Sequence, residues 1–287
     1  MERMLVVGAG TMGRGIAHVG ALAGFEVRLF DAQPEQVESA LGAIRGNLQK
    51  GVERGKVAPA DMAAALGRLA AAPDLEGGAR DADVVVEAVY ENLDLKCDLV
   101  RRLDAAMRGD ALIGSNTSSL SLTRIAAAAR HPGRVIGMHF FNPVHIMELL
   151  EIVRAEQTTD ATLEATLALA KRLGKTSIVV RDVPGFATSR LGVCLGLEAI
   201  RMLEQDVASA QDIDTALELG YRHPMGPLKL TDLVGLDVRL AIADHLHSEL
   251  GGDQYRAPDL LRRLVAEGKV GRKSGQGFYR WEDGRAV

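Results

Sequence analysis

The chain has 287 residues, enough for one large or two ordinary domains around a substantial buried core. Lys and Arg number 34 against 38 Asp and Glu, so no overall field points to nucleic acid or an anionic membrane, and an aromatic share of 4% argues against base-stacking platforms. No apolar run reaches the ~20 residues of a membrane span, no leader pattern opens the chain, and Cys97 and Cys194 fit no metal or CxxC spacing. Free thiols in a soluble cytoplasmic protein are therefore expected.

Met4-Leu5-Val6-Val7 is a short continuous apolar run, as expected of a strand covered on both faces. Gly8-Ala9-Gly10-Thr11-Met12-Gly13 follows, then a stretch at helical period from Gly15 to Ala23, and Gly24 closes it. Glu26 to Phe30 reads as the next strand and ends on Asp31. A lone GxGxxG carries little weight, but strand, glycine turn, helix, strand and terminal acid is the complete context of a dinucleotide-binding unit. Gly8 permits the tight turn, Gly10 lets backbone amides approach a pyrophosphate, and Gly13 lets the helix pack closely on the strand. The helix N-terminus offers unpaired N–H groups to the phosphates. A carboxylate at Asp31 accepts from both adenine-ribose hydroxyls and repels a 2′-phosphate, so the expected cofactor is NAD rather than NADP.

Pro34 to Leu69 reads as two helices broken around Gly55–Pro59, with Lys50, Arg54 and Lys56 clustered at the break. A solvated helix end and a contact to a phosphorylated ligand both account for that cluster. Ala82–Val89 is another buried strand leading to Tyr90-Glu91-Asn92, and Leu93–Met107 is a helix. Ala111–Gly114 is a further strand that empties into Ser115-Asn116-Thr117-Ser118-Ser119. Ligands of an open parallel sheet sit beyond the carboxyl ends of the strands. Asp31, Glu91 and Asn116–Ser118 therefore point to one crevice beside Gly8–Gly13.

The next strand, Arg134–Met138, delivers His139-Phe140-Phe141-Asn142-Pro143, and a second apolar run, Leu149–Val153, carries Glu151. A carboxylate in an apolar run is costly unless a partner meets it, and His139 is the candidate. Such a pair suits general acid/base chemistry, and on these residues alone a satisfied polar pair in the core explains it equally. The remaining histidines lack such a partner, and His145, next to the site, reads as a partly exposed loop residue. The acidic residues Asp31, Glu87 and Glu91 have no His or Cys at metal spacing, so no metal is expected.

Thr159–Leu173 is a helix, Thr176–Val180 a last strand, and beyond Pro184 only helical patterns joined by Gly and Pro remain. The expected fold is an α/β Rossmann-type dinucleotide-binding domain over 1–183, followed by an all-α C-terminal domain over 184–287. The segment Leu191–Ile200 is apolar nearly all round, and burial inside the helical domain or against a second copy follows.

These motifs together resemble the 3-hydroxyacyl-CoA dehydrogenase family over essentially the whole chain, particularly its stand-alone members acting on 3-hydroxybutyryl-CoA. The resemblance rests on Gly8–Gly13, Glu91-Asn92-Leu93-Asp94-Leu95-Lys96, Ser115–Leu120, Gly137–Pro143, Asp182–Phe186, His223-Pro224-Met225-Gly226-Pro227 and Gly275-Gln276-Gly277-Phe278-Tyr279. It implies NAD-dependent interconversion of a short-chain (S)-3-hydroxyacyl-CoA and its 3-oxo form, as in fatty acid β-oxidation. It implies His139 as catalytic base, Glu151 as its orienting carboxylate, and Ser118 as a residue touching substrate and cofactor. Glu91, Lys96, Asn142 and Lys273 fall on cofactor-contacting positions beside the Gly8, Ala9, Gly10, Thr11, Met12, Gly13 and Asp31 set. Asn47 and Arg54 align with contacts to the acyl-CoA substrate. Two departures stand out: Ser189 occupies a position where the family usually has Asn, keeping a donor and an acceptor on a shorter side chain, and His145 stands where proline is common. The family further implies that the helical domain closes the substrate cleft and forms a homodimer. Relatives that oxidise a sugar acid such as L-gulonate, and non-catalytic crystallin-type NAD-binding proteins, are the alternatives, and the intact His139 and Glu151 speak against the second.

Overall fold

Short runs of buried Val, Ile and Leu, each followed by a helix, build the first half of the chain, and the computed structural model describes every residue from Met1 to Val287. The elements of the first unit are β1 (Arg3–Val7), α1 (Thr11–Leu22), β2 (Glu26–Phe30), α2 (Pro34–Glu53), α3 (Pro59–Gly67), β3 (Leu69–Ala71), α4 (Leu75–Arg80), β4 (Val84–Glu87) and α5 (Leu93–Ala106). They continue with β5 (Leu112–Ser115), α6 (Leu122–Ala126), β6 (Val135–Phe140), β7 (Leu149–Arg154), α7 (Asp160–Arg172) and β8 (Thr176–Arg181).

All eight strands form one sheet in the order β3-β2-β1-β4-β5-β6-β7-β8. β1 to β6 run parallel, which places the carboxyl ends of β1, β2, β4, β5 and β6 along one edge. β7 reverses direction against β6, and β8 runs parallel to β7. The reversal follows from connection length: a short loop joins β6 to β7, and a parallel pair needs a crossover of a dozen or more residues. β3, only three residues long, adds an edge strand that the sequence pattern did not announce. Met4–Val7 of the central β1 is buried, with the α1 residues Ile16, Ala17 and Ala21 in the same apolar cluster.

The contacts of the chain divide it into Met1–Val183 and Pro184–Val287. The second unit contains α8 (Thr188–Glu204), α9 (Ala210–Gly220), α10 (Pro227–Val234), α11 (Leu236–Leu250) and α12 (Asp259–Ala266) around a core that includes Val193, Leu197, Leu228, Leu236 and Leu246. It is helical apart from a terminal hairpin of β9 (Trp281–Glu282) and β10 (Arg285–Ala286).

Two of its motifs have structural roles. Asp232 of α10 accepts from the amides of Phe278 and Tyr279 and from the Trp281 indole, which pins the C-terminal segment. Gly277 lies so close to this carboxylate that a Cβ would collide with it, and Gly226 stands in the same relation to Asp214.

The two sides of α8 differ within a single chain. α8 is not buried all round: Val193, Leu197 and Ile200 face the core, whereas Leu191 and Leu195, one turn apart, are 66% and 47% exposed. A helix packed against its own domain on one side leaves the opposite face open, whatever its composition.

Candidate functional site

The glycine turn between β1 and α1 has the geometry a dinucleotide requires. Gly8 sits at φ +98°, and a Cβ there would lie 2.6 Å from the Ala88 carbonyl oxygen, so only glycine fits between β1 and the end of β4. A Cβ on Gly13 would collide with the Gly8 carbonyl, which explains the third glycine by close helix–strand packing. A Cβ on Gly10 would meet nothing within 4 Å, so this glycine presents bare backbone to open space. Gly10 caps α1 without a side-chain hydrogen bond, and no acidic residue sits in the first turn. The uncapped N–H groups and the positive end of the helix dipole thus suit an anionic pyrophosphate. Thr11 and Met12 form the opening of α1, Thr11 exposed and Met12 packed against the core.

Asp31 follows β2 and accepts from the Ala9 amide at 2.7 Å and the Gln33 amide at 3.0 Å. It braces the glycine turn and also borders a cavity of about 580 Å³ shared with Gly8, Gly10, Val89, Tyr90 and Leu95. Tyr90 is 82% exposed at this cavity. An exposed tyrosine after a strand is an ordinary surface feature in sequence, so its place beside Asp31 emerges only from the sheet order.

Glu91 organises the polar loop after β5. One carboxylate oxygen accepts from the Thr117 hydroxyl at 2.6 Å and from the Ser118 and Ser119 amides at 2.8 and 3.2 Å. Burial raises its pKa, but the Lys96 ammonium, the Thr117 hydroxyl and the Ser118 amide outweigh this and hold the carboxyl below its ordinary range. Ser118 is exposed on this loop, and Asn116 ties the loop to β6 by accepting from the Phe140 amide at 2.9 Å.

Lys96 is the surprise. Its side chain is 1% exposed, and its ammonium donates to both oxygens of the wholly buried Glu87, at 2.9 and 2.8 Å, while Glu91 lies 3.4 Å away. Ser115 also donates to Glu87. Lys96 thus supports Glu91 from below, anchored by Glu87, weighed in sequence only as a metal ligand, and by Ser115, expected to open the loop but found at the end of β5. Glu87 sits in a continuous apolar run, and the only available signal was its charge there.

His139 of β6 lies opposite Glu151 of β7 in the antiparallel register. His139 Nδ1 and Glu151 Oε2 are 2.9 Å apart, the histidine 8% and the glutamate 0% exposed. This pairing leaves Nδ1–H as the donor to the carboxylate and fixes the ring's orientation. The Phe141 ring packs at 4.5 Å between centroids, tilted by 50°. Asn142, exposed in the cis Asn142–Pro143 turn, follows directly.

Asn47 and Arg54 come together in a separate cavity of about 660 Å³, with Lys50, Lys56, His145 and Lys175 in the same lining. In the second unit, Ser189 is half-buried in the first turn of α8, and Lys273 donates to Asp237 at 2.6 Å. No group of three or more His, Cys, Asp or Glu side chains is arranged to hold a metal ion.

A glycine cradle at a helix N-terminus, an acid after the second strand and a carboxylate-held histidine at the carboxyl edge of one sheet define an NAD-dependent oxidoreductase. Residues 3–183 match the NAD-binding domain of 3-hydroxyacyl-CoA dehydrogenase, and residues 185–281 match its C-terminal domain. The chain belongs to the 3-hydroxyacyl-CoA dehydrogenase family. It is 42% identical over 283 residues to a probable 3-hydroxybutyryl-CoA dehydrogenase of Bacillus subtilis, covering 99% of this chain and 98% of that one. It is likewise 42% identical over 287 residues to the 3-hydroxybutyryl-CoA dehydrogenase of Bradyrhizobium diazoefficiens, covering 100% and 98%. The crystal structure of (S)-3-hydroxybutyryl-CoA dehydrogenase from Ralstonia eutropha superposes with a TM-score of 0.95 at 39% identity, covering 99% of this chain and 100% of that one. Neither the sugar-acid nor the crystallin-type alternative is favoured by these relatives.

Proposed function

We propose that this chain is an NAD-dependent (S)-3-hydroxyacyl-CoA dehydrogenase of short-chain substrates, interconverting 3-hydroxybutyryl-CoA and acetoacetyl-CoA. The observation that carries the mechanism is the buried His139–Glu151 pair, 2.9 Å apart on adjoining strands of the same sheet edge as the glycine turn. When bound, NAD supplies the acceptor for the hydride that leaves C3 of the substrate. His139 takes the proton of the 3-hydroxyl as the oxidation proceeds and returns it in the reverse direction. Glu151 orients the ring through Nδ1, so the histidine acts in one tautomer. The exposed Ser118 hydroxyl hydrogen-bonds the reacting oxygen, with Glu91 and Lys96 holding its loop in place. Gly8–Gly13 carry the pyrophosphate, Asp31 the adenine ribose, and Asn142 a further contact to the cofactor.

NADH oxidation with acetoacetyl-CoA tests this reading. Wild type turns over, and His139→Ala loses roughly 10²–10⁴-fold in kcat, the usual share of a positioned acid/base group. Absence of turnover in wild type, or an undiminished rate in the variant, defeats it.

We further propose a homodimer through α8, on the strength of the exposed Leu191 and Leu195. A monomeric mass by light scattering contradicts that. No helix is long and apolar enough to cross a membrane, and both cysteines are free, which supports a reducing, cytoplasmic location.

A further inference from the structure

The 660 Å³ cavity holds a feature that neither the dehydrogenase mechanism nor the aligned Asn47 and Arg54 requires. His18 of α1 and His145 of the β6–β7 loop stack face to face in its wall, with centroids 5.1 Å apart and planes 14° from parallel. His18 is 3% exposed, and its Nδ1 is buried without a hydrogen-bond partner. His145 is exposed to the cavity. Lys175 donates to the Val144 carbonyl and, at 2.7 Å, to the Met147 carbonyl, holding the loop that carries His145. An ammonium has three donors, so one remains.

The charges around the stack come from every neighbouring element. Arg14 lies on α1, Lys50 on α2, Arg54 and Lys56 just beyond it, Glu148 on the β6–β7 loop, Arg172 on α7, and Lys175 before β8. Arg172 already has Glu2 as a partner, which leaves Glu148 as the one carboxylate lining the cavity. An empty basin of this kind repels a further proton. Burial first, then His145 and Lys175, push His18 down to about 4, and burial, Lys175 and Arg14 hold His145 below its ordinary value. A phosphate entering the basin reverses the sign of the local field, and the exposed imidazole then gains both a counter-charge and an acceptor. The neutral His18 ring, stacked beneath, supports a protonated His145 through its π face.

We propose that His145, stacked on His18 and flanked by Lys175, forms a second anion subsite that takes a phosphate group of the acyl-CoA across the cavity from Lys50, Arg54 and Lys56, and that His145 takes up a proton as this phosphate binds. The proposal rests on the acyl-CoA reading above and adds a proton linkage to it. Affinity for the nucleotide part of the substrate then strengthens as pH falls through the interval between the free and bound states of His145, by up to about tenfold per pH unit. The phosphate's own second ionisation, near pH 6, acts in the opposite sense, so the comparison of variants rather than the raw slope isolates the imidazole.

The experiment is calorimetric titration of the full-length enzyme with CoA near pH 6.5, in two buffers of different ionisation enthalpy, for wild type, His145→Gln and His18→Gln. Wild type takes up more protons per CoA bound than His145→Gln, and the variant's affinity loss shrinks as the pH is raised. The kcat on acetoacetyl-pantetheine, which lacks the nucleotide, stays at the wild-type level in His145→Gln. 3′-Dephospho-CoA identifies the phosphate: loss of the extra uptake points to the 3′-phosphate, and its retention to the pyrophosphate. Equal proton uptake by wild type and His145→Gln overturns the subsite while leaving the dehydrogenase intact. Failure of CoA to bind at all overturns the subsite and the acyl-CoA reading together, whereas CoA binding with the expected linkage but no turnover upholds the subsite and removes only the catalytic reading.

Discussion

Replacing Lys96 by Met probes the buried support of the site. The ammonium donates to both oxygens of Glu87 at 2.9 and 2.8 Å and lies 3.4 Å from Glu91, with the Lys96 and Glu87 side chains 1% and 0% exposed. Removing one member of a buried pair leaves the other charge uncompensated, at a cost of about 3–5 kcal/mol. The Ser115 hydroxyl and the Val89 amide, at 3.2 Å, still donate to Glu87 and keep the loss towards the lower end. Adding Glu87→Gln removes the stranded charge and recovers most of the stability, so the two substitutions are strongly non-additive. Glu91 is a third exposed, so loss of its cation costs only about 1 kcal/mol, roughly a fivefold rise in the Kd for NADH. Urea unfolding of the wild type, both single variants and the double variant measures the first effect, and NADH fluorescence titration the second. A Lys96→Met protein within about 1 kcal/mol of wild type, or a double variant as unstable as the sum of the singles, refutes the reasoning.

Glu151→Gln keeps the shape of the pair but exchanges a charge-assisted bond, worth about 1.5–3 kcal/mol, for a neutral one of about 1 kcal/mol. The expected loss in kcat is about two- to thirtyfold, with KM for the acyl-CoA nearly unchanged, and unaltered kcat in steady-state NADH assays counts against the pair. Asp31→Ser removes the carboxylate that repels a 2′-phosphate, so the ratio of kcat/KM for NADH over NADPH falls; an unchanged ratio removes Asp31 from cofactor selection. Burial raises the Asp104 carboxyl, but the Arg134 guanidinium and the Arg130 amide outweigh it and hold this group, like Glu91, below the ordinary range. A depressed folded value means that the unfolded chain binds protons first, so stability is fully present above the ordinary carboxylate range and is lost as pH falls from that range through the lower folded value. Circular dichroism during acid titration should therefore show a shallower transition for Asp104→Asn than for wild type, and parallel curves would deny Asp104 this role.

Much of the molecule was legible along the chain because it depends on local pattern. The alternation of short apolar runs with helical periods foretold a parallel α/β unit, and the change of pattern after Val183 coincides with the division of contacts at Pro184. Gly8, Gly10, Gly13 and Asp31 lie within one strand–turn–helix–strand unit, so spacing together with that local context marks them as candidates. His139 and Glu151 could be paired as candidates, because a polar residue in an apolar run demands a partner.

Which partner each residue takes was decided by tertiary structure. The β6–β7 register, set by a short loop and the reversal of direction, puts His139 directly across from Glu151. The order of β4 beside β5 carries Glu91 under Thr117 and Ser118, and folds Lys96 onto Glu87 so that a residue resembling a cofactor contact becomes a buried support. No periodicity links His18 to His145, which meet because α1 and the β6–β7 loop share one cavity. Leu191 and Leu195 show the same limit: an apolar helix declares that it wants burial, and only packing shows which face its own domain leaves uncovered. Local sequence sets which elements form and which groups need partners, while the long-range contacts that satisfy them depend on strand order and register.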